Sequence, residues 1–169
     1  MREAERAAFV ARYGGIYEHS SWVAERAWDL LDGSGNDTQI AATLAHCVDA
    51  ASDAEKLRLI RAHPDLAGRA AVQGELTEES TGEQASAGID QCTADEFARF
   101  QELNDRYKDK FGFPFVMAVR DSNRHAILAA FEERLQNDAQ AEFACALSEI
   151  HKIARLRLAA QRCQKEAKA

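Results

Sequence analysis

The sequence predicts an all-α protein, and three observations point there. Alanine, glutamate, leucine and arginine are abundant, while the 169 residues hold only two prolines. Polar cap residues recur with Glu or Gln three positions on, the spacing that opens helices. Apolar residues recur at intervals of three and four, as on one face of a helix. Together they predict a single domain over 1–169, a helical bundle of about eight to nine helices with one extended, buried connection near 111–119.

Helices are expected over 2–13 and 20–32, the second running into the turn Gly33-Ser34-Gly35. Asn36 with Gln39 opens a helix over 37–51, and Ser52 with Glu55 opens one over 53–62 that carries Leu57, Ile60 and Ala62. Pro64 ends it by pushing His63 out of helical geometry, and Pro followed by Asp65 suits a new start over 65–72. Next come helices over 78–88 and 93–110. Thr93 with Glu96 opens the latter, Phe97, Phe100, Leu103 and Tyr107 form its core stripe, and Gly112 marks its end. Helices over 122–136 and 138–165 complete the chain, the last opened by Asn137 with Gln140. The exception is 111–119, where Gly112 and Pro114 interrupt a run of bulky apolar residues with no polar face. Buried extended backbone needs partners for its amides, and either other loops or a polar ligand can supply them.

Apolar residues make up 46% and charged residues 29% of the chain, ordinary values for a globular protein. A net charge of −7 leaves no electrostatic footprint for nucleic acid or an anionic membrane, and an anionic substrate would need a locally placed cation. The longest unbroken apolar run, 126–131, is too short to span a bilayer. Cys47, Cys92, Cys145 and Cys163 are widely spaced and form no C-x-x-C pair, which suits reduced thiols in the cytoplasm. The N-terminal residues lack the apolar stretch of a signal peptide, and the last three are not a peroxisomal tripeptide. A cytoplasmic location is expected.

The run HPDLAG at 63–68 is the most informative local feature. It leaves His63, whose side-chain type changes charge near neutral pH, at a helix break. A histidine that merely completes a helix C-terminus is the competing reading. Ser80, Glu83 and Gln84 fall at i, i+3 and i+4 and share a helix face, although Ser80-Thr81-Gly82-Glu83 is also a plain capping box. In the last helix, Phe143, Leu147, Ile150, Ile153 and Ala154 form the apolar stripe, and Arg157 projects near its middle while Arg155 and Arg162 point away. A guanidinium among core positions requires a partner, either a protein carboxylate or a substrate carboxylate. The five histidines make no H-E-x-x-H or close pair, so no metal site is expected. No phosphate-binding glycine loop or G-x-S-x-G elbow is present.

Four segments in this order resemble one family, the 2-oxo-4-hydroxy-4-carboxy-5-ureidoimidazoline (OHCU) decarboxylases of urate degradation. They are HPDLAG at 63–68, STGEQ at 80–84, FPFVMAV at 113–119 and IARLRL at 153–158. The resemblance implies an all-helical carboxy-lyase, a homodimer that uses no metal or organic cofactor. Its substrate is an anionic small molecule, a five-membered ring with a carboxylate, a hydroxyl and a ureido group, and its product is (S)-allantoin. By position, His63 falls on the catalytic proton donor or shuttle and Pro64 beside the substrate. Glu83 falls on a second catalytic group that orients His63 or the substrate hydroxyl. Ser80, Thr81, Gly82 and Gln84 fall on substrate-binding positions, as do Phe115, Val116, Met117, Ala118 and Val119 through their backbone. The carboxylate-clamping arginine falls on Arg157, which helical phase favours over Arg155. The absence of a peroxisomal tail suggests a bacterial-type cytoplasmic enzyme. Two other readings stand beside this one: a non-catalytic helical interaction module, and a hydrolase or isomerase of a related ureido ring compound.

Overall fold

The computed structural model describes residues 2–68 and 74–167. Among these are eight α-helices and no strand: α1 (Arg2–Tyr13), α2 (Trp22–Leu30), α3 (Asp37–Asp49), α4 (Asp53–Arg61), α5 (Glu78–Ser86), α6 (Ala94–Phe111), α7 (Arg124–Arg134) and α8 (Ala139–Glu166). The all-α class follows the composition and the caps. Asn36 and Ser52 form reciprocal capping boxes with Gln39 and Glu55, and Thr93 accepts the Glu96 N–H. Arg26 and Ser52 hydrogen-bond the Glu55 carboxylate and hold its pKa down at about 2. None of the described helices is long and apolar enough to cross a membrane.

Several expectations about element bounds and caps are corrected. Residues 65–68 form no helix; they make a turn in which the Gly68 N–H reaches the Asp65 carbonyl at 3.4 Å. The rest of the expected 65–72 helix, 69–72, lies outside the described residues. Thr77 caps α5 by accepting the Ser80 N–H, so Ser80 is not a cap. A short 3₁₀ turn, Ile89–Gln91, follows the left-handed Gly88 and falls just beyond the expected 78–88 helix. α8 is capped by Asp138, which accepts the Ala141 N–H at 2.8 Å, while Asn137 turns away to the Glu142 carboxylate. α2 stops short of residue 32 because Asp32 takes a positive φ of 49°.

The chain divides into two compact units, Met1–Ala62 with His151–Ala169, and His63–Ile150. In the first, α1 packs on α2 and α2 on α3; Val23, Ala24 and Ala27 of α2 and Leu44 and Val48 of α3 are buried, as are Leu59 and Ile60 of α4. The end of α8 adds Ile153, Ala154 and Leu158 to its buried residues. His151 bridges the Tyr17 hydroxyl (2.9 Å) and the Asp49 carboxylate (3.0 Å).

The second unit is built on aromatic rings. Phe115 stacks on Phe131 with centroids 3.7 Å apart, and Tyr107 meets Phe115 edge-on at 5.3 Å. Phe100, Leu103 and Tyr107 are fully buried as the stripe predicts, while Phe97 is half-buried. Among these rings lies a buried charge cluster. Arg134 donates from Nε and Nη2 to Glu142 (3.0 and 2.9 Å), Asn137 donates to the same carboxylate (2.9 Å), and the Tyr107 hydroxyl donates to it as well. Burial pushes the Glu142 carboxyl upward, but the bonds from Arg134, Tyr107 and Asn137 outweigh it and hold the group below the usual carboxylate range.

A carboxyl whose folded pKa lies below its unfolded value lends stability that is fully present above about pH 5, and that stability is lost as pH falls through the folded value. Acid titration of the melting temperature should therefore show a loss that Glu142→Gln reduces, the remainder coming from other paired carboxyls such as Glu55. At neutral pH the same substitution should cost about 3 kcal/mol, because it strands the Arg134 charge in the core. A neutral-pH melt equal to wild type would contradict this account.

Candidate active site

Nine polar or charged residues are buried among the described residues, and burial of such groups is unfavourable unless each is matched. Five of the nine are residues that the sequence singles out: His63, Ser80, Glu83, Gln84 and Arg157. The first four belong to the second unit and Arg157 to the first.

His63 follows the α4 C-cap Ala62 and is 8% exposed. The turn after it is held in place by side chains of α6 and α5. Gln101, Asn104 and Lys108 stand at i, i+3 and i+7 on one face of α6. They donate to the Ala67 carbonyl (2.6 Å), the Leu66 carbonyl (2.8 Å) and the Asp65 carboxylate (2.5 Å). From α5, the Gln84 Oε1 accepts the Ala67 N–H at 3.1 Å. Ala67 thus has both backbone groups gripped while sitting at φ 50°, a left-handed conformation that costs a non-glycine residue about 1–2 kcal/mol. Gly68 is required by close approach, since a Cβ there would lie 2.7 Å from the Asp65 Cβ. The structure therefore joins two of the expected segments directly, with STGEQ anchoring HPDLAG through Gln84.

On α5, Ser80, Glu83 and Gln84 are buried on one face, as their spacing predicts, whereas Thr81 and Gly82 are exposed. The Thr81 hydroxyl bonds the Thr77 carbonyl (2.9 Å), and a Cβ added at Gly82 would meet open space. A cavity of about 560 Å³ lies against this helix, within the size range of small-molecule sites. Of the expected residues, Thr81 and Gln84 line it, together with Ala67, Ile89, Cys92 and Phe97. Burial and the Glu96 carboxylate push the Cys92 thiol up, away from the reactive thiolate.

The connection after α6 is irregular at 114–119 and buries Phe113, Pro114, Phe115, Val116 and Val119, with Met117 and Ala118 half-buried. Its polar groups find partners that the sequence analysis does not anticipate. Helix side chains take them: the Val116 carbonyl accepts from Arg134 Nη1 at 2.7 Å, and the Ala118 N–H donates to Glu149 at 2.8 Å. The Arg134 guanidinium also lies 4.3 Å from the Phe115 ring centroid. Arg134, Glu149, Gln101 and Asn104 are thus missed by sequence reasoning. The i, i+3 spacing of two amide residues inside an apolar α6 stripe is the one signal that could have found part of this set.

Arg157 is 4% exposed, in the core-facing phase expected, while Arg155 and Arg162 are exposed. It has a protein partner: Nη2 lies 2.7 Å from the Glu18 carboxylate, itself 2% exposed, and Nη1 donates to the Gly15 carbonyl at 3.1 Å. Of the two partners open to a guanidinium among core positions, the protein carboxylate is the one present in the structure. Glu18 lies in the irregular passage after α1, where no periodicity marks it as core.

The profile of the OHCU decarboxylase family matches residues 2–159. The chain is 47% identical over 152 residues to the 2-oxo-4-hydroxy-4-carboxy-5-ureidoimidazoline decarboxylase of Haloferax volcanii, covering 90% of this chain and 88% of that one. It is 43% identical over 158 residues to the uric acid degradation bifunctional protein of Bacillus sp. strain TB-90, covering 94% of this chain and 30% of that longer protein. Among solved structures it matches an (S)-allantoin synthase with a TM-score of 0.73 at 34% identity, over 95% of this chain and 53% of that one. A profile match across nearly the whole chain, with a relative matched almost end to end, leaves one assignment: this chain belongs to the OHCU decarboxylase family.

Proposed function

We propose that this protein is a carboxy-lyase of urate degradation that converts 2-oxo-4-hydroxy-4-carboxy-5-ureidoimidazoline to (S)-allantoin. Family membership supports the reaction. The observation that carries the site is the concentration of buried polar side chains at the family-like motifs, where a purely structural bundle would place apolar ones. The same reading makes the chain one OHCU decarboxylase-like domain, a cytoplasmic homodimer that takes an anionic small molecule and needs no cofactor.

In this reaction the bond between the ring and its carboxylate breaks and CO₂ leaves. The electron pair moves through the ring onto the adjacent C=N nitrogen, which gains a proton. The hydroxyl carbon becomes a carbonyl as its O–H proton is released, so that with the new C–H one proton is taken up in all. The neighbouring carbon gains a hydrogen on one face, which sets the product's handedness. His63, fixed at the end of α4, is the proposed proton donor or shuttle, with Glu83 orienting it or the substrate hydroxyl. Pro64, Ser80, Thr81, Gly82 and Gln84 are the proposed contacts to the ring and ureido groups, along with the backbone of Phe115, Val116, Met117, Ala118 and Val119. Arg157, oriented by Glu18, is the proposed cation for the substrate carboxylate.

Generating the unstable intermediate from urate with upstream enzymes tests the reaction. Addition of this protein should speed its ultraviolet decay and yield optically active allantoin, at a rate unchanged by a chelator. Racemic allantoin at the spontaneous rate would refute the activity, and a different product would favour a hydrolase or isomerase. His63→Asn should keep the wild-type melt within a few degrees and lose roughly 10²–10⁴-fold in rate. Near-normal turnover would return His63 to a helix-end role.

For Arg157 the Glu18 pair dictates the design. Arg157→Gln alone should destabilise by about 3–5 kcal/mol, since it leaves a buried carboxylate without its guanidinium. Combining it with Glu18→Gln should restore much of the melt, and turnover should still be lost. Arg155→Gln should alter neither. Recovery of turnover together with stability in the double variant would show Arg157 to be structural only.

A further inference from the structure

Two side chains from different helices grip the backbone on either side of Met117. Arg134 holds the Val116 carbonyl at 2.7 Å, and Glu149 holds the Ala118 N–H at 2.8 Å. The described residues include no cis peptide bond, and in a planar trans peptide the C=O and N–H point in opposite directions. The peptide plane joining 116 to 117 is therefore fixed with the Met117 N–H directed away from Arg134. The plane joining 117 to 118 is fixed with the Met117 carbonyl directed away from Glu149. Arg134 is itself immobilised by its bonds to Glu142 and its contact with the Phe115 ring, and Phe115 stacks on Phe131.

We propose that Arg134 and Glu149 are positioning residues that clamp the two peptide planes flanking Met117 and present its N–H and C=O as a fixed donor–acceptor pair to the urea-type groups of the substrate. This rests on the reading of 115–119 as a substrate-binding segment. An irregular segment free to rotate would lose orientation on binding, and fixing its planes in advance removes that cost. The substrate matches the pair chemically, since its ring and ureido arm both carry adjacent N–H and C=O groups. Glu149 is half-buried, and its contribution is the acceptor oxygen: a glutamine there keeps an acceptor and drops the charge, whereas an alanine drops both.

The Met117 amide resonance of ¹⁵N-labelled protein, titrated with (S)-allantoin, reads the clamp directly, with kcat and KM measured alongside on freshly generated substrate. The wild-type Met117 signal should shift saturably. Glu149→Gln should retain that shift and a KM within about twofold, because the hydrogen bond survives. Glu149→Ala should weaken allantoin binding and raise KM about fivefold to tenfold, the effect of losing one well-placed hydrogen bond, with a smaller change in kcat and a near-normal melt. Equal behaviour of the alanine and glutamine variants, whether both normal or both impaired, would overturn the clamp. A wild-type Met117 signal indifferent to allantoin would instead overturn the reading of 115–119 as substrate-binding, and the clamp with it.

Discussion

Irregular backbone inside a helical protein must find hydrogen-bond partners without a sheet, and here long polar side chains on neighbouring helices provide them. In the second unit Gln84, Gln101 and Asn104 serve the turn at 65–68, while Arg134 and Glu149 serve the passage at 114–119. In the first, Arg157 serves the Gly15 carbonyl in the loop after α1. Each capture lets the chain leave helical geometry without stranding a polar group, which would cost about 1–3 kcal/mol apiece. The non-helical passages near the family-like motifs exist because helix faces are equipped to hold them.

Two buried Arg–Glu pairs, one in each unit, follow the same plan. Arg134 binds Glu142 and a carbonyl; Arg157 binds Glu18 and a carbonyl. A buried ion pair is a weak source of net stability, because desolvation offsets much of the attraction. What the guanidinium adds is geometry. Its planar fork fixes a carboxylate and a main-chain oxygen at once, in directions set by the arginine's own helix.

Such scaffolding suits the decarboxylation as proposed, with the substrate's own C=N as electron sink. The protein's share is then orientation and one directed proton transfer, and both depend on groups that do not move. His63 lies at a helix end whose following turn is pinned at three consecutive residues, Asp65, Leu66 and Ala67. The left-handed Ala67, held by both its N–H and its C=O, shows that the turn is imposed by its surroundings rather than by local preference.

The all-α class, the capping boxes at Asn36 and Ser52 and the core phase of Arg157 were determined by the sequence alone, because each depends on residues within one helical turn or one face. The family motifs were legible for the same reason, being contiguous runs. Tertiary structure decided the rest. Residues 65–68 carry a sound helix-start signal at Pro64 and Asp65, yet Gln101, Asn104 and Gln84, 17 to 38 positions away, claim the backbone groups a helix would use. Asn137 has the composition of a cap but is drawn off by the buried Glu142. The partner of Arg157 is Glu18, 139 positions earlier and in a loop without periodicity. Local patterns record what a segment prefers; which distant side chain satisfies it is settled only when the helices pack.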